Sequence, residues 1–230
     1  MLRVIVRTFL EVFPHTRAYL LRLNLDTPVL GLVGTIEPVR YPADWFERRV
    51  RDVNLLDQLK PLPLVDSYQL FGSLVAGPAA LRAYSQEAPL NTDNHPIVIF
   101  DAPRFTLERS RNSFGRLFTL IDLDAADPAE LIEAGSASFA SSLAGFIAAR
   151  NIYLRGWLAE TEGRQAEAMD AFVRSARLSP HFSTGYAHCL TLAMQQAKSD
   201  PAAARALLQR LIEAQPQTPV AQQLLDRLKL

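Results

Sequence analysis

The sequence has little cysteine, no net charge and no long hydrophobic run. Cys189 is the one cysteine in 230 residues, which excludes an intrachain disulfide and favours a reducing, cytoplasmic setting. Lys plus Arg and Asp plus Glu each number 24, so the chain lacks the basic excess on which nucleic-acid binding depends. The longest uncharged runs, Ser67–Leu81 and Ala134–Ala149, are shorter than the ~20 residues of a membrane span. We therefore expect no transmembrane segment, although a longer parent protein is compatible with membrane association.

Common catalytic and metal-binding motifs are also missing from the sequence. Its histidines, at positions 15, 95, 181 and 188, have neither the H-E-x-x-H nor the C-x-x-C context of a zinc site. No G-x-S-x-G, P-loop or G-x-G-x-x-G is present. The acidic stretch Asp122–Glu130 favours a helix start, with Asp127 as N-cap and Pro128 in the first turn, over a calcium loop. We assign no metal ligand and no catalytic residue from these patterns.

Helix and strand signals alternate through the first half of the chain. Apolar spacing predicts a helix over Leu2–Phe13, and alternating leucines from Leu21 to Leu25 followed by the apolar Val29–Val33 predict an antiparallel hairpin with a turn at 26–28. Pro42, Asn54, Asp66 and Pro78 each suit the start of a short helix, and the third of these helices is predicted to end at Gly77. The apolar run Ile97–Phe100, which follows Pro96, predicts a buried strand.

A run of five polar residues, at positions 91 to 95, precedes that predicted strand. One interpretation is the rim of a pocket formed by Asn91, Thr92, Asp93 and His95, in which Asp93 holds an amine and His95 exchanges protons. The other is a turn in which Asn91 or Asp93 accepts hydrogen bonds from nearby backbone N–H groups. Physical reasoning from the residues alone favours the turn.

The C-terminal region, residues 125–230, contains an internal repeat. Three pairs of similar residues are separated by 36 positions: Ala168 and Ala204, Phe172 and Leu208, and Pro180 and Pro216. A small residue, a large apolar residue and a proline at this spacing are typical of the second helix of a tetratricopeptide repeat. Gly156 suits the close contact between the paired helices and Gly163 the turn between them, whereas Arg155 and Ala159 depart from the usual pattern.

Stacked helix pairs of this kind either bind a peptide on their concave face or brace a neighbouring domain. The repeat therefore predicts a protein or peptide partner. The alternative is an ordinary tail of four or five helices without a repeat function.

Two longer segments resemble a known family. "RTFLEVFPHTRAYLLRLNLDTPVLGLVGT" and "LFGSLVAGPAALRAYSQEAPLNTDNHPIVIFDAPR" are similar to the C-terminal part of bacterial spermidine synthase-like proteins, that is, of polyamine aminopropyltransferase-like proteins. One branch of these proteins carries a phrase like "LNTDDxPxxEFxxPR". The residues that match it are Leu90, Asn91, Thr92, Asp93, Pro96, Phe100, Pro103 and Arg104. Asn94 and Ile99 stand where that branch more often has acids.

The resemblance implies an α/β fold for residues 1–124: the terminal strands and helices of a partial Rossmann-like, methyltransferase-type domain. An all-α tail of helical-hairpin repeats follows at 125–230. Complete members use decarboxylated S-adenosylmethionine and putrescine, and their Gly-rich nucleoside-binding loop and catalytic Asp lie upstream of the part matched here. We therefore expect this chain alone to bind no cofactor and to be inactive as a transferase, or to act as a non-catalytic interaction module. An incomplete sheet would also expose an edge for self-association.

Overall fold

The computed structural model describes residues 1–23, 25, 28–51, 66–107, 113–122, 126–134 and 136–228, except for the side chains of 104–107 and 113–116. The turn expected at 26–28 falls mostly outside these residues, and the helix start expected at Asn54 falls wholly outside them. The helices are α1 (Leu2–Val12), α2 (Trp45–Arg49), α3 (Ser67–Phe71), α4 (Pro78–Ser85), α5 (Ile97–Leu107), α6 (Ser113–Ile121), α7 (Ala137–Thr161), α8 (Gln165–Leu178), α9 (Ser183–Gln196), α10 (Pro201–Ala214) and α11 (Val220–Leu228). The strands are β1 (Arg17–Arg22), β2 (Val29–Val33) and β3 (Leu74–Ala76), and a 3₁₀ turn covers Pro128–Glu130.

The fold is mixed and mostly helical, and it divides into two compact units, Met1–Ala140 and Ser141–Leu230. The division falls within α7, C-terminal to the boundary that the sequence suggests after residue 124, which stays a prediction. No helix in the described ranges is both long enough and apolar enough to cross a membrane.

The first unit contains a three-stranded antiparallel sheet in the order β2-β1-β3. The predicted hairpin is confirmed, but its first strand was placed too late: β1 is Arg17–Arg22 rather than Leu21–Leu25. Ala18 and Leu20 are buried, whereas Leu21, beside a bulge in the pairing with β2, is 61% exposed. The strand lies earlier because Ala18 and Tyr19 pair with β3 on the other side, a contact that local alternation does not encode.

The helix predicted over Leu2–Phe13 is confirmed as α1, which buries Val4, Val6 and Leu10 and contacts α4. Pro78 lies in the first turn of α4, as expected. Asp66 caps α3 by accepting a hydrogen bond from the Gln69 backbone N–H at 2.8 Å. The predicted end of that helix at Gly77 was wrong, since α3 ends at Phe71 and β3 follows.

The helix starts predicted at Pro42 and Asp127 both correspond to structural elements, but only the first begins an α-helix. The Pro42 start is close to α2, whose first residue, Trp45, donates its N–H to the Pro42 carbonyl at 3.0 Å. Asp127 accepts a hydrogen bond from the Ala129 N–H, but the element that it caps is one 3₁₀ turn rather than a longer helix.

The strand predicted at Ile97–Phe100 was wrong, because these residues form the first turn of the helix α5. Ile97 and Val98 are half-buried, whereas Ile99 and Phe100 are 71% and 72% exposed. A short apolar run does not by itself distinguish a buried strand from a helix. The capping contact from Asn91, described below, decides in favour of the helix, which continues through Pro103.

The second unit consists of successive helices joined by short turns. The turn between α7 and α8 contains Gly163, whose φ of 79° lies in the left-handed region that favours glycine. Helix α9 contacts α8 and α10, and α10 also contacts α8 and α11. Two helical hairpins, α7–α8 and α9–α10, are therefore followed by the shorter α11, an arrangement consistent with the predicted helical tail.

Candidate functional site

The polar run at 91–95 folds into a turn that caps α5. Thr92 and His95 pair through two backbone hydrogen bonds, of 3.2 and 3.0 Å. The Asn91 backbone N–H donates to Thr8 Oγ1 on α1 at 2.8 Å, and its side-chain Oδ1 accepts from the Val98 N–H at 2.8 Å. The second bond satisfies one of the free N–H groups at the start of α5. Asn91 therefore joins α1, the turn and α5.

Most of the side chains proposed as a pocket rim are exposed. The structure brings Thr92 and His95 together through their backbones and leaves Thr92, Asp93 and His95 exposed, while Asn91 is half-buried. An exposed carboxylate is surrounded by water, which weakens its electrostatic effect on a bound amine. This arrangement is what the turn interpretation predicted from the residues.

We expect Asn91→Ala to destabilise the first unit by about 1 kcal/mol, because it removes the acceptor of the Val98 N–H hydrogen bond, and such a bond typically contributes ~0.5–1.5 kcal/mol. Asp93→Ala, two residues away and exposed, should change stability by less than ~0.5 kcal/mol. Urea unfolding followed by Trp45 fluorescence, in a background without Trp157, measures both variants. Equal effects of the two substitutions would contradict the capping role of Asn91.

Residues singled out for repeat packing lie at the contacts between helices. Ala168, Phe172, Ala204 and Leu208 are each 2% exposed or less. A methyl group added at Gly156 would lie 2.8 Å from Phe172 Cε1 and 2.9 Å from Ala171 Cβ, so α7 and α8 approach closely there. Pro180 and Pro216 are exposed and follow the ends of α8 and α10, where a residue that cannot continue a helix is common.

A polar and aromatic cluster joins α7 to α9 beside these packing residues. The Tyr153 hydroxyl lies 3.3 Å from His188 Nδ1, and the His188 ring lies 4.3 Å from the Phe172 ring between centroids. On its other side, His188 Nε2 lies 3.8 Å from Glu160 Oε2. When the Tyr153 hydroxyl donates, Nδ1 accepts and the ring proton on Nε2 faces the carboxylate.

The sequence patterns did not point to this cluster. His188 belongs to no metal-binding motif, and its neighbour Cys189 lies on a different face of α9, since Cys189 is fully buried whereas His188 is half-buried. The spacing of the repeat in the sequence is the signal that could have indicated this cluster. Tyr153 and His188 are separated by 35 residues, nearly one repeat, and therefore occupy similar positions on the first helices of successive hairpins.

Burial controls the ionisation of groups around this cluster. It raises the pKa of Tyr153 to about 12, and the negative charge of Glu160 adds to the effect. Burial likewise raises the pKa of the Cys189 thiol to about 12. Both groups are neutral at physiological pH, so the thiol is a poor nucleophile. Burial lowers the pKa of Arg150 to about 10, and its guanidinium, still charged at neutral pH, donates to Asn151 Oδ1.

The raised pKa values of Tyr153 and Cys189 predict a contribution to stability that is lost at alkaline pH. The folded state favours protonated Tyr153 and Cys189, whose ordinary pKa values are 10.0 and 9.0, so their contribution is present below pH ~9 and is lost as pH rises toward ~12. Tyr153 alone should account for about 1 kcal/mol near pH ~11. Urea unfolding across pH ~8 to ~11 should show a shallower decline for Tyr153→Phe than for the unsubstituted chain. Tyr84→Phe serves as the control, and equal slopes for Tyr153→Phe and the unsubstituted chain would contradict the assignment.

Across the described ranges, no group of three or more His, Cys, Asp or Glu side chains could hold a metal ion. Two polar regions of the described residues are the exposed turn at 91–95 and the face of the helices around His188. The first offers backbone-capping contacts, and the second offers aromatic surface together with one carboxylate and one imidazole.

The chain was also compared with known proteins. It matches no protein-family model, no curated protein and no solved structure. A proposal about function therefore depends on the residues and contacts described above and on the sequence resemblance.

Proposed function

We propose that this polypeptide is a non-catalytic docking module whose helical hairpins bind a peptide segment of a partner protein. The observation that carries the proposal is the α7–α9 surface, defined here as Trp157 and Glu160 of α7 with Thr184, His188, Thr191 and Gln195 of α9. The four α9 residues follow the spacing i, i+4, i+7 and i+11, so they share one face of the helix. The contact of His188 with Tyr153 and Glu160 places that face beside α7.

The chemistry of the α7–α9 surface suits a peptide. Trp157 is partly exposed, while Thr184, Thr191 and Gln195 are exposed. The Glu160 and His188 side chains are each 25% exposed. The indole on α7 offers an apolar anchor point, and the hydroxyl and amide groups on α9 offer hydrogen bonds, a combination found at interaction hot spots. The Glu160 carboxylate would favour a ligand with an apolar anchor and a neighbouring basic residue.

Buried contacts beneath this surface favour a preformed site. Tyr153 is 5% exposed and lies 5.4 Å from Phe172 and 5.7 Å from His188 between ring centroids. Because these rings pack on one another, the His188 side chain is held before a ligand arrives. A preformed surface loses less conformational entropy on binding.

Peptide selection from a displayed random library, with the full chain as bait, tests the docking proposal. For a selected peptide, we expect Trp157→Ala to weaken binding at least tenfold, as measured by fluorescence anisotropy, because truncating a Trp hot spot commonly costs ~2 kcal/mol or more. Gln209→Ala, an exposed substitution on α10, should change the Kd less than twofold. Failure to enrich any peptide over a Trp157→Ala, Thr191→Arg bait would refute the proposal.

We also propose that residues 1–104 derive from the C-terminal part of a spermidine synthase-like transferase, as the terminal portion of a Rossmann-like domain. The match of Leu90–Arg104 to the family phrase supports this origin. Complete members would use decarboxylated S-adenosylmethionine, whereas this chain alone would bind no nucleoside and transfer no aminopropyl group. A cytoplasmic location belongs to the same proposal, because a single buried thiol, Cys189, suits a reducing compartment.

Thermal unfolding with and without millimolar methylthioadenosine tests whether the transferase-like part still binds a nucleoside. We expect the melting temperature to stay within about 1 °C, because a ligand that does not bind the native state cannot stabilise it. A rise of several degrees, or turnover of decarboxylated S-adenosylmethionine with putrescine, would overturn the proposal of inactivity. Neither outcome depends on the peptide-selection experiment.

A further inference from the structure

Among the described strands, β2 lies at an edge of the sheet. In the part of the chain that the structure describes, β2 pairs with β1 alone. An edge strand directs the N–H and C=O groups of alternate residues away from the sheet, and proteins commonly protect such an edge with a charge, a proline or a covering segment. Val29–Val33 contains no charged residue and no proline, and its end residues, Val29 and Val33, are 45% and 50% exposed.

The sequence of β2 is a palindrome, VLGLV, centred on Gly31. When such a strand pairs antiparallel with its own copy about Gly31, Val29 lies opposite Val33 of the other copy, Leu30 opposite Leu32, and Gly31 opposite Gly31. Every opposed pair is then apolar or glycine, and no like charges meet. Matched β-branched and aliphatic pairs are favourable across antiparallel strands.

We propose that β2 is the interface for a second copy of this chain, paired about a two-fold axis that passes between the two Gly31 residues. The two sheets would join into one antiparallel sheet of six strands. Such an interface is isologous: both copies use the same surface, which closes the assembly at a dimer. Backbone hydrogen bonds supply the attraction, as in other cases of strand addition.

The position of Leu21 supports this register. A methyl group added at Gly31 would lie 2.8 Å from Leu21 Cδ1, so the Leu21 side chain covers Gly31. Leu21 nevertheless remains 61% exposed. Side chains alternate along a strand, so residues 29, 31 and 33 share one face of β2. Because Leu21 covers Gly31 on that face, its side chain lies on the same face as Val29 and Val33. In the dimer, the two Leu21 side chains meet above the axis, between the opposed valine pairs, and bury apolar surface that one copy leaves exposed.

The small size of the interface predicts a weak dimer. Five residues of each strand take part. The area that so few residues bury is below the ~800 Å² per partner of a standard stable interface. Association should therefore depend on concentration. In sedimentation velocity at protein concentrations from about 1 to about 500 μM, a range chosen for micromolar affinity, we expect the average mass to rise from 25.6 kDa toward twice that value. A constant monomer mass over this range would overturn the proposal.

Charge substitution at Val29 and Val33 tests the pairing of two β2 strands without disturbing the fold of each chain. In Val29→Glu with Val33→Glu, the introduced acids face each other across the proposed interface at both ends. Within one chain they lie opposite Arg22 and Arg17, so the monomer should fold normally, as far-UV circular dichroism would verify. We expect at least tenfold weaker dimerisation, because like charges directly opposite each other destabilise strand pairing. A folded acidic variant that dimerises like the unsubstituted chain would refute the β2 interface.

A matched control completes the test. The control, Ile99→Glu with Phe100→Glu, adds the same charge at residues 71% and 72% exposed on α5. It should dimerise like the unsubstituted chain, and loss of its dimer would attribute association to general surface hydrophobicity instead.

Discussion

Phe172→Ala is expected to destabilise the second unit by about 3–5 kcal/mol, the usual cost of truncating a buried Phe. Phe172 is fully buried, and its ring contacts those of Tyr153 and His188 as well as the backbone at Gly156. These neighbours come from both hairpins, so removal of the ring leaves a cavity that movement of one helix cannot fill. The measurement is urea unfolding followed by Trp157 fluorescence in a Trp45→Phe background.

Phe100→Ala is the matched control, because it removes the same side chain from a position that is 72% exposed. It should change stability by less than ~0.5 kcal/mol, as measured through Trp45 in a chain without Trp157. A loss below about 1 kcal/mol for Phe172→Ala would mean that the two hairpins do not pack around this ring. Peptide binding should weaken together with stability in Phe172→Ala, since His188 loses the ring that supports it.

Two glycines on the same helix, α7, should respond oppositely to alanine. Gly145→Ala is expected to stabilise the protein by about 0.5–1 kcal/mol, because alanine favours a helix interior and the nearest atom to the added methyl group is the Leu178 carbonyl oxygen, at 3.5 Å. Gly156→Ala gains the same helix preference but places its methyl group 2.8 Å from Phe172 Cε1. Since overpacking costs about 1–3 kcal/mol, the two variants should differ by about 2 kcal/mol.

Thermal and urea unfolding of both glycine variants, followed through Trp157, measures this difference. The experiment isolates the close approach of α7 and α8, because residue type, helix and helix propensity are the same at both positions. If both substitutions stabilise the protein equally, the helices have room at Gly156, and the predicted role of this glycine in repeat packing is wrong.

The turn at 91–95 illustrates how local chemistry can be read directly from residues. Asn and Thr before an apolar run favour side-chain contacts with backbone N–H groups, and Asn91 and Thr92 both make them. The element that follows was misjudged. Ile97–Phe100 has the composition of a buried strand, but a strand needs neighbours, and here the run starts a helix whose Ile99 and Phe100 face solvent.

The sequence itself determined the turn glycine, the caps and the helical tail, because they depend on contacts within a few residues or on a spacing that recurs along the chain. Gly163, Asp66 and the pair Ala168 and Ala204 are examples. The tertiary structure alone decided the extent of β1, the exposure of the polar turn and the contact between Tyr153 and His188. Each of these depends on a partner distant in the chain: β3 for the strand, α1 for the turn and α9 for Tyr153. Sequence separation hides such partners, because packing between elements, rather than local preference, selects them.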